Sequence, residues 1–419
     1  MRRRKIALIS SLVLLAFLAL AAVGLFVYWS LSNPLFAYRP AQTPPQLKQA
    51  RVVLGSSFLS RSEFIRTGKG LLGEILKVPG LGSINDIAIR ERDLHHGLDI
   101  VIAGREGAMV VDRNGAKRSQ IKYDFETGEI RLGPFRKTKT YNMLGDIQIV
   151  NIDGDGRCQY LARGGFDGAA LFDDQGRRVW SYRKNDKNGG SRENVTVGDL
   201  NGDGMAEFIV SSNGIEAFDK YGTRLWHRPA EYGPSQIEIV DIDGTGKKKI
   251  VSIGSKLEIR DESGNEIKSI DTPSGYVGKF SLCTMPNTKI PTILALNDGY
   301  LWLIGFDGSS VAKFDAPLSE FPDVVEKTPY GKFGTITYRA KGAWVKLGKD
   351  QQEYLAVINQ FAALDRSVLY IYTPSGRLAY QEVLPEECSS IAALPLENDS
   401  DSQEFLVGGS RTVWRYRAK

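Results

Sequence analysis

The sequence predicts an all-β fold, and three observations support this prediction. Residues 195–227 contain four short runs of alternating polarity: Val195–Leu200, Glu207–Ser211, Gly214–Phe218 and Thr223–His227. Period-two runs bounded by Gly, Asn and Asp are typical of antiparallel strands joined by hairpins. The unit recurs along the chain, and its last copy stops after three strands. A four-stranded unit repeated every roughly 40–50 residues predicts a β-propeller.

Each well-formed unit has an acidic, glycine-containing loop after its first strand and an Asp-x-x-Gly turn before its last. The turns begin at Asp112, Asp173, Asp219 and Asp261. Gly suits the fourth position because it adopts the left-handed conformation without steric cost. The seven units span residues 86–121, 146–182, 195–227, 236–270, 279–314, 343–384 and 390–416. We therefore predict seven four-stranded antiparallel blades in a propeller domain over residues 71–419.

The last unit needs a fourth strand from elsewhere in the chain. Leu72–Val78 (LGEILKV) precedes the first unit and resembles fourth strands such as Arg178–Tyr182. Open sheet edges invite aggregation, and a strand from the N-terminal side would remove the open ends of the ring. We therefore predict that Leu72–Val78 closes the last blade, whereas residues 51–70 have no clear assignment.

The N-terminal segment predicts a membrane anchor. Residues 1–5 (MRRRK) are a basic cytoplasmic tail, and residues 6–29 are 24 uncharged residues ending in Tyr28-Trp29. A helix of that length spans about 36 Å, enough for a bilayer core. Basic residues before the span favour a cytoplasmic N-terminus. Residues 30–70 combine a Pro-containing stalk with the unassigned segment, and the propeller is expected outside the membrane.

A cleaved signal peptide is the alternative reading of this segment. Ala19-Leu20-Ala21 fits a cleavage motif, and cleavage there would release a secreted protein. Either reading places the propeller in an exported compartment.

Composition limits the partner classes. The chain has 54 basic and 49 acidic residues, and four of the basic ones lie in residues 1–5. The remainder carries 50 against 49, a net charge of +1, so the sequence offers no basic patch for nucleic acid. The three cysteines, Cys158, Cys283 and Cys388, fall in three different units and do not predict a disulfide framework.

The loop of the third unit has the chemistry of a calcium site. Asp199, Asn201, Asp203 and Glu207 place oxygen side chains at positions 1, 3, 5 and 9, and Met205 offers its carbonyl at position 7. Ca²⁺ takes six to eight oxygen ligands, and alternate residues of a tight loop converge to supply them. The alternative is a plain hairpin turn in which Asp and Asn bond the local backbone.

The other copies of the loop are weaker. The second unit keeps the spacing with two carboxylates, the fourth has Lys249 at position 9 and is expected to lack metal, and the first is broken. Their residues are Asn151, Asp153, Asp155 and Gln159 in the second unit, Asp241, Asp243 and Thr245 in the fourth, and Glu91, Asp93 and Asp99 around His95-His96 in the first.

The repeated acidic loops opening four-stranded units resemble the FG-GAP and VCBS repeats of integrin α-subunit-like propellers. The resemblance is best over residues 145–270 and implies Ca²⁺ at Asp199, Asn201, Asp203 and Glu207, and at the matching positions of the second unit. The Phe-Gly/Gly-Ala-Pro signature of that family is absent. The Phe172-Asp173…Trp180 and Phe218-Asp219…Trp226 endings are similar to the blade-closing motif of quinoprotein-type propellers.

These observations favour a non-enzymatic binding or adhesion module for a protein or glycan partner. No Gly-x-Ser-x-Gly or His-Glu-x-x-His motif occurs. The alternatives are an extracytoplasmic enzyme, either a polysaccharide lyase or a quinone-dependent dehydrogenase, and an accessory protein of envelope assembly. Acidic, basic and aromatic side chains converging at one mouth of the central channel would favour an enzyme.

Overall fold

The structure is a computed structural model. It describes residues 20–21, 59–66, 84–91, 97–104, 107–122, 126–132, 136–141, 144–155, 157–164, 169–182, 194–212, 214–229, 236–253, 256–271, 281–284, 291–297, 300–315, 326–328, 331–333, 337–349, 352–361, 366–396 and 402–418. Within these residues, no helix is long and apolar enough to cross a membrane. The predicted anchor, residues 6–29, lies outside the described residues apart from 20–21.

The described strands form seven four-stranded antiparallel sheets and two hairpins. Blade 1 contains β2 (Ile84–Glu91), β3 (Leu98–Gly104), β4 (Gly107–Val111) and β5 (Lys117–Lys122). Blade 2 contains β8 (Leu144–Val150), β9 (Gln159–Gly164), β10 (Ala169–Phe172) and β11 (Arg178–Tyr182). Blade 3 contains β12 (Asn194–Gly198), β13 (Glu207–Ser212), β14 (Gly214–Phe218) and β15 (Arg224–Pro229). Blades 4 and 5 are β16 (Gln236–Val240), β17 (Lys249–Ile253), β18 (Leu257–Arg260) and β19 (Glu266–Ile270); and β20 (Ser281–Thr284), β21 (Pro291–Asn297), β22 (Tyr300–Ile304) and β23 (Ser310–Asp315). Blades 6 and 7 are β26 (Thr337–Leu347), β27 (Gln352–Phe361), β28 (Arg366–Tyr372) and β29 (Leu378–Val383); and β30 (Cys388–Ala393), β31 (Phe405–Gly409) and β32 (Thr412–Ala418), completed by β1 (Leu59–Arg66).

The prediction of seven four-stranded blades is confirmed. The sequence did not predict the two hairpins, β6 (Glu126–Leu132) with β7 (Arg136–Tyr141) after blade 1, and β24 (Glu326–Thr328) with β25 (Gly331–Phe333) after blade 5.

The apolar core of the described chain is divided among the interfaces between blades. Seven clusters of buried side chains each join two neighbouring blades. Phe172 packs between blades 1 and 2, for example, and Phe314 between blades 5 and 6. Ile84 of blade 1 and Val413 of blade 7 share one cluster, so the series of interfaces returns to its start and the ring is closed.

The closing strand is β1, and the prediction of Leu72–Val78 for this role was wrong. Leu59 pairs with Ala418 and Arg66 with Thr412, so β1 is the fourth strand of blade 7. The propeller therefore begins at Leu59 and not at residue 71. Residues 72–78 lie outside the described residues. β1 is mostly polar because it is an outer strand, and Leu59 is its one fully buried side chain.

A polar cluster fastens β1 to blade 6. The Arg61 guanidinium donates to Glu382 on β29, and it lies over the ring of Trp414, 5.1 Å from its centroid. The hydroxyls of Tyr380 and Tyr416 donate to Oε2 of Glu382 at 2.9 and 3.2 Å. Burial, with the nearby Glu382 carboxylate, raises the pKa of the Tyr416 phenol well above its usual range, so the hydroxyl stays a donor.

The Asp-x-x-Gly turns have a common hydrogen-bonding pattern. The Asp219 carboxylate accepts from the backbone N–H groups of Tyr221 and Thr223 at 2.9 and 2.8 Å, and Asp261 accepts from Ser263 and Asn265 at 3.0 and 2.7 Å. The Thr223 N–H, followed by that of Tyr221, lowers the pKa of Asp219. This local bonding explains why Asp begins these turns.

In most of these turns the glycine also packs against the preceding blade. A Cβ on Gly264 would lie 2.6 Å from the ring of Trp226 on β15, and one on Gly376 would lie 2.9 Å from Phe314 on β23. Gly222 in blade 3 is different, because a Cβ there would meet no described atom within 4 Å. Both Gly222 and Gly264 have positive φ, 85° and 77°.

We expect truncation to separate the stalk from the closing strand. A chain beginning at residue 57 retains β1 and should unfold cooperatively, whereas one beginning at residue 68 leaves the β32 edge and the blade 6 cluster uncovered. Urea unfolding followed by tryptophan fluorescence measures the difference. A stable, cooperative 68–419 fragment would contradict the role of β1.

Glycine substitutions should distinguish backbone strain from packing. Gly222→Ala should cost about 1–2 kcal/mol, because an L-residue resists the left-handed conformation. Gly264→Ala should cost that amount plus about 1–3 kcal/mol for overpacking against Trp226. Thermal unfolding of the two variants compares them directly, and equal losses would show that the contact with Trp226 is unimportant.

Candidate functional site

The acidic loops and the Asp-x-x-Gly turns lie at the same end of the ring. In an antiparallel four-stranded meander, the connections between strands 1 and 2 and between strands 3 and 4 emerge at one edge. In blade 3 the register pairs Phe208 with Phe218, so the loop before β13 and the turn after β14 lie side by side. We call this end of the propeller the turn face.

The blade 3 loop is folded around Asp199. Its two carboxylate oxygens accept from the N–H groups of Gly202 and Gly204 at 2.7 and 3.0 Å. Oδ1 of Asn201 accepts from Asp203 N at 2.8 Å, and Oδ1 of Asp203 accepts from Met205 N at 2.7 Å. Backbone N–H groups of the loop therefore donate to both oxygens of Asp199 and to one side-chain oxygen each of Asn201 and Asp203.

The remaining oxygens meet at the side-chain amide of Asn201. Its Nδ2 donates to Oδ2 of Asp203 at 3.1 Å and to Oε1 of Glu207 at 3.2 Å, while Oε2 of Glu207 accepts from Leu200 N at 2.8 Å. Glu207 is only 6% exposed. Burial, together with the charges of Asp203 and Asp199, raises the pKa of its carboxyl group. The carboxylate oxygens of Asp203 and Glu207 thus share a single hydrogen-bond donor group, the uncharged amide of Asn201.

The blade 2 loop has the same spacing of oxygen side chains but a different counter-charge. Gln159 replaces Glu207 and accepts from Ile152 N at 3.0 Å. Asp153 is paired with Lys220, which reaches across from the blade 3 turn to 3.0 Å. Asp155 caps Arg157 N at 2.9 Å, and the loop begins at Asn151. A cation from the neighbouring blade therefore already occupies part of the acidic site predicted here.

The other two loops are also supplied with protein cations. In blade 4, Asp241 accepts from Gly244 and Gly246 as Asp199 does in blade 3, and Lys249 approaches Glu262 of the adjacent turn at 3.9 Å. In blade 1 the buried Asp99 pairs with Arg118 at 2.7 Å. The side chain of Glu91 is not described, and Asp93, His95 and His96 lie outside the described residues.

The loops of blades 2 and 3 contact each other through their backbones. Ala206 N donates to the carbonyl of Ile152 at 3.1 Å. A Cβ on Gly154 would lie 2.3 Å from the carbonyl oxygen of Gly204. A change in one loop is therefore transmitted directly to the other.

Across the described residues, no three His, Cys, Asp or Glu side chains are grouped closely enough to form a metal-ligand set. In the blade 3 loop the Asn201 amide bridges the carboxylates of Asp203 and Glu207.

Charged side chains also meet near the ring axis, where the first strands of neighbouring blades lie against one another. Lys341 on β26 pairs with Asp86 on β2 at 2.9 Å, and Asp86 accepts from Ile147 N at 3.2 Å. Arg163 on β9 pairs with Glu238 on β16 at 3.0 Å. Acidic and basic groups thus converge at the axis, but these four are engaged with one another across blades. The sequence did not predict these pairs, because their partners lie far apart in the chain.

Comparisons with known proteins support the fold only. The sequence matches no protein-family model and no curated protein. Among solved structures, the chain is similar to BBS1N in its crystal structure with ARL6DN, with a TM-score of 0.52, 10% identity, and coverage of 87% of this chain and 98% of that one. It is also similar to Chaetomium thermophilum Raptor, with a TM-score of 0.53, 10% identity, and coverage of 93% of this chain and 31% of that one. The protein thus has the propeller fold, and these likenesses do not show FG-GAP or VCBS membership.

Because the pKa of Glu207 is raised, the environment of this side chain can be tested through the pH dependence of stability. Folding favours the protonated carboxyl group, so the contribution of Glu207 is present below the ordinary Glu pKa and is lost as pH rises through the higher folded value. Glu207→Gln keeps an acceptor for Leu200 N, as Gln159 does in blade 2. Without divalent cations, the variant should gain stability relative to wild type as pH rises from about 4 to 8. Urea unfolding measures this difference, and a difference independent of pH would contradict the assigned environment.

Proposed function

We propose that the protein is a membrane-anchored, exported, calcium-binding β-propeller that acts as a non-enzymatic binding module for a protein or glycan partner. The observation that carries this proposal is the contrast between the two charged regions. The four described charges near the axis, Lys341 with Asp86 and Arg163 with Glu238, are paired with one another. The turn face instead presents loops whose exposed residues differ from blade to blade.

Pairing at the axis argues against the enzyme alternatives. A lyase or a quinone-dependent dehydrogenase needs an acid or base free to exchange protons. Lys341 with Asp86, and Arg163 with Glu238, form ion pairs that also bond to neighbouring backbone or side chains. Such pairs favour a role in joining blades.

A protein partner has some support from fold relatives. BBS1N, whose fold this chain shares, was crystallised in complex with ARL6DN. At 10% identity this precedent concerns the fold, and it shows that such a scaffold can engage another protein.

The anchor proposal rests on residues 6–29, and the fold gives it a geometric consequence. Leu59 pairs with Ala418 at the place where other blades have their Asp-x-x-Gly turn. The chain therefore enters the propeller on the turn face. Residues 30–58 could span up to about 95 Å if fully extended, which leaves the turn face accessible to a partner.

The calcium proposal rests on the donor set of the blade 3 loop. The carboxylates of Asp199, Asp203 and Glu207, the side-chain oxygen of Asn201 and the carbonyl of Met205 are the hard oxygens that Ca²⁺ prefers. Rotating the Asn201 amide would exchange its N–H₂ for its oxygen and make room for a cation between Asp203 and Glu207. Burial and then the charges of Asp203 and Asp199 raise the pKa of Glu207, and a bound ion would offset the second of these causes. The blade 2 set, Asn151, Asp153, Asp155 and Gln159, is the weaker candidate because Lys220 is already present.

Calcium should raise the melting temperature through this loop. Binding to the folded state alone stabilises by RT ln(1 + [Ca²⁺]/Kd), about 2.7 kcal/mol at a hundredfold excess over Kd. Asp203→Ala should abolish the difference between calcium and EDTA, whereas Asp243→Ala in the blade 4 loop should retain it. Scanning calorimetry measures both variants. Identical wild-type melting in calcium and in EDTA would reduce the loop to a turn.

A single cross-linking experiment tests the function as a whole. A membrane-impermeant, amine-reactive cross-linker is added to intact cells or spheroplasts, and the full chain is recovered from the membrane fraction with and without calcium. We expect discrete adducts with one partner. Lack of labelling would contradict export, recovery outside the membrane fraction would contradict the anchor, and labelling without adducts would contradict a binding role.

A further inference from the structure

Blade 3 differs from its sister blades at two loop tips on the turn face. Met205, at position 7 of its acidic loop, corresponds to Arg157 in blade 2 and Lys247 in blade 4. Tyr221, third residue of its Asp-x-x-Gly turn, corresponds to polar residues in the neighbouring blades, Gln175 and Ser263. Blade 3 therefore has large apolar or aromatic side chains where its sisters have polar ones.

Both side chains project into solvent. Tyr221 is 80% exposed and Met205 is 45% exposed. The local backbone requires neither, because Arg157 N and Gln175 N of blade 2 donate to the same loop and turn carboxylates with polar residues at these positions. The Tyr221 ring has one contact besides, since the Lys220 ammonium lies over it, 5.3 Å from the centroid. Exposed Tyr and Met side chains are enriched at the centres of protein interfaces.

The sequence neighbours of the two residues contact the same part of blade 2. Ala206, next to Met205, bonds to the carbonyl of Ile152. Lys220, next to Tyr221, pairs with Asp153. Because Ile152 and Asp153 are consecutive, the acidic loop and the turn of blade 3 are both held at one short stretch of the blade 2 loop. We call the surface around these two side chains the blade 3 patch.

The blade 3 patch has acidic surroundings. Residues 199–207 contain three carboxylates and no Lys or Arg. The two nearby cations are already engaged, Lys220 with Asp153 and Arg157 with Asp155. An occupant that carries positive charge would therefore meet an unbalanced negative field, and an acidic one would be repelled.

We propose that the blade 3 patch is a docking site for a basic polypeptide segment that inserts an apolar side chain between Met205 and Tyr221. The proposal rests on the binding function proposed above, and it adds the place and the chemistry of the partner. The acidic loops attract and orient the segment, and the two exposed side chains supply the apolar contact. Calcium in the blade 3 loop would lower the net negative charge without changing either side chain.

The freedom of the blade 3 turn is consistent with this use. The glycines of the blade 2, 4, 5 and 6 turns are packed against the preceding blade, but Gly222 meets no described atom. The segment carrying Tyr221 is held to blade 2 by the Lys220 ion pair instead. It can therefore adjust to a partner without disturbing an apolar interface between blades.

The test uses the full chain in detergent micelles and a phage library of short random peptides. Selection on wild type is followed by removal of phage that bind the double variant Met205→Lys/Tyr221→Gln, in which both positions have side chains of the sister-blade type. Lys247→Ala/Ser263→Ala, the matching positions of blade 4, is the control. We expect enriched peptides with net positive charge and an apolar side chain, whose affinity falls at least about tenfold on the double variant and is retained on the control. Their affinity should also fall as salt is raised.

Several outcomes would overturn the proposal. The proposal fails if no selected peptide depends on the two residues, or if the selected peptides are acidic or uncharged. It also fails if a glycan array, and no peptide, binds in a Tyr221-dependent way. Self-association of the wild type that the double variant loses would likewise contradict it. Circular dichroism and melting temperature establish that the double variant is folded. Failure here can be separated from failure of the general function. If in-cell cross-linking gives the same partner adduct with the double variant, the binding role stands and the blade 3 patch is not its site.

Discussion

A four-stranded blade has two apolar faces and can cover neither by itself, so every blade of this protein depends on its neighbours. The buried side chains divide into clusters that each span two blades, and the series closes when Ile84 meets Val413. The ring is closed only when its last blade, blade 7, has all four strands. That blade takes its outer strand from Leu59–Arg66, and the polar cluster around Glu382 ties this strand to blade 6. The N-terminal segment is thus a structural part of the propeller as well as its connection to the predicted anchor.

The Asp-x-x-Gly turn was recognisable from sequence because its causes are local. Asp bonds the backbone two and four residues ahead, and Gly takes the positive φ, so both residues are specified within five positions. The closing strand was assigned wrongly because its cause is not local. We predicted LGEILKV from its likeness to fourth strands such as Arg178–Tyr182, but an outer strand covers little core and so has a weak sequence pattern. β19 has no fully buried side chain and β1 has one, so a polar stretch such as LSRSEFIR fits the position well.

In the acidic loops, too, the sequence predicted what is local and missed the charged partners that come from other blades. Counting charges within each loop separates blade 3, which has no internal cation, from blade 4, whose Lys249 approaches Glu262 of the adjacent turn. It could not show that Lys220, 67 residues further along the chain, supplies the cation for Asp153 in blade 2. Nor could it show that the Asn201 amide bridges Asp203 and Glu207. The spacing of ligands can be read from sequence, whereas the partner that balances them depends on which blades are adjacent.

Repetition also separates what the scaffold requires from what it permits. Where sister blades share a residue, as with the turn Asp or the loop glycines, the local backbone explains it. Where one blade departs while its hydrogen bonds stay the same, the fold offers no reason for the change. Met205 is a departure of this second kind. Tyr221 keeps the backbone bond of the turn and adds a contact, because the Lys220 ammonium that pairs with Asp153 of blade 2 also lies over the Tyr221 ring. The turn that carries Tyr221 contributes an ion pair to the ring where its sisters contribute packed glycines. A partly exposed ion pair contributes less stability than apolar packing, so the blade 3 turn can change its exposed residues at a lower structural cost than the turns whose glycines are packed.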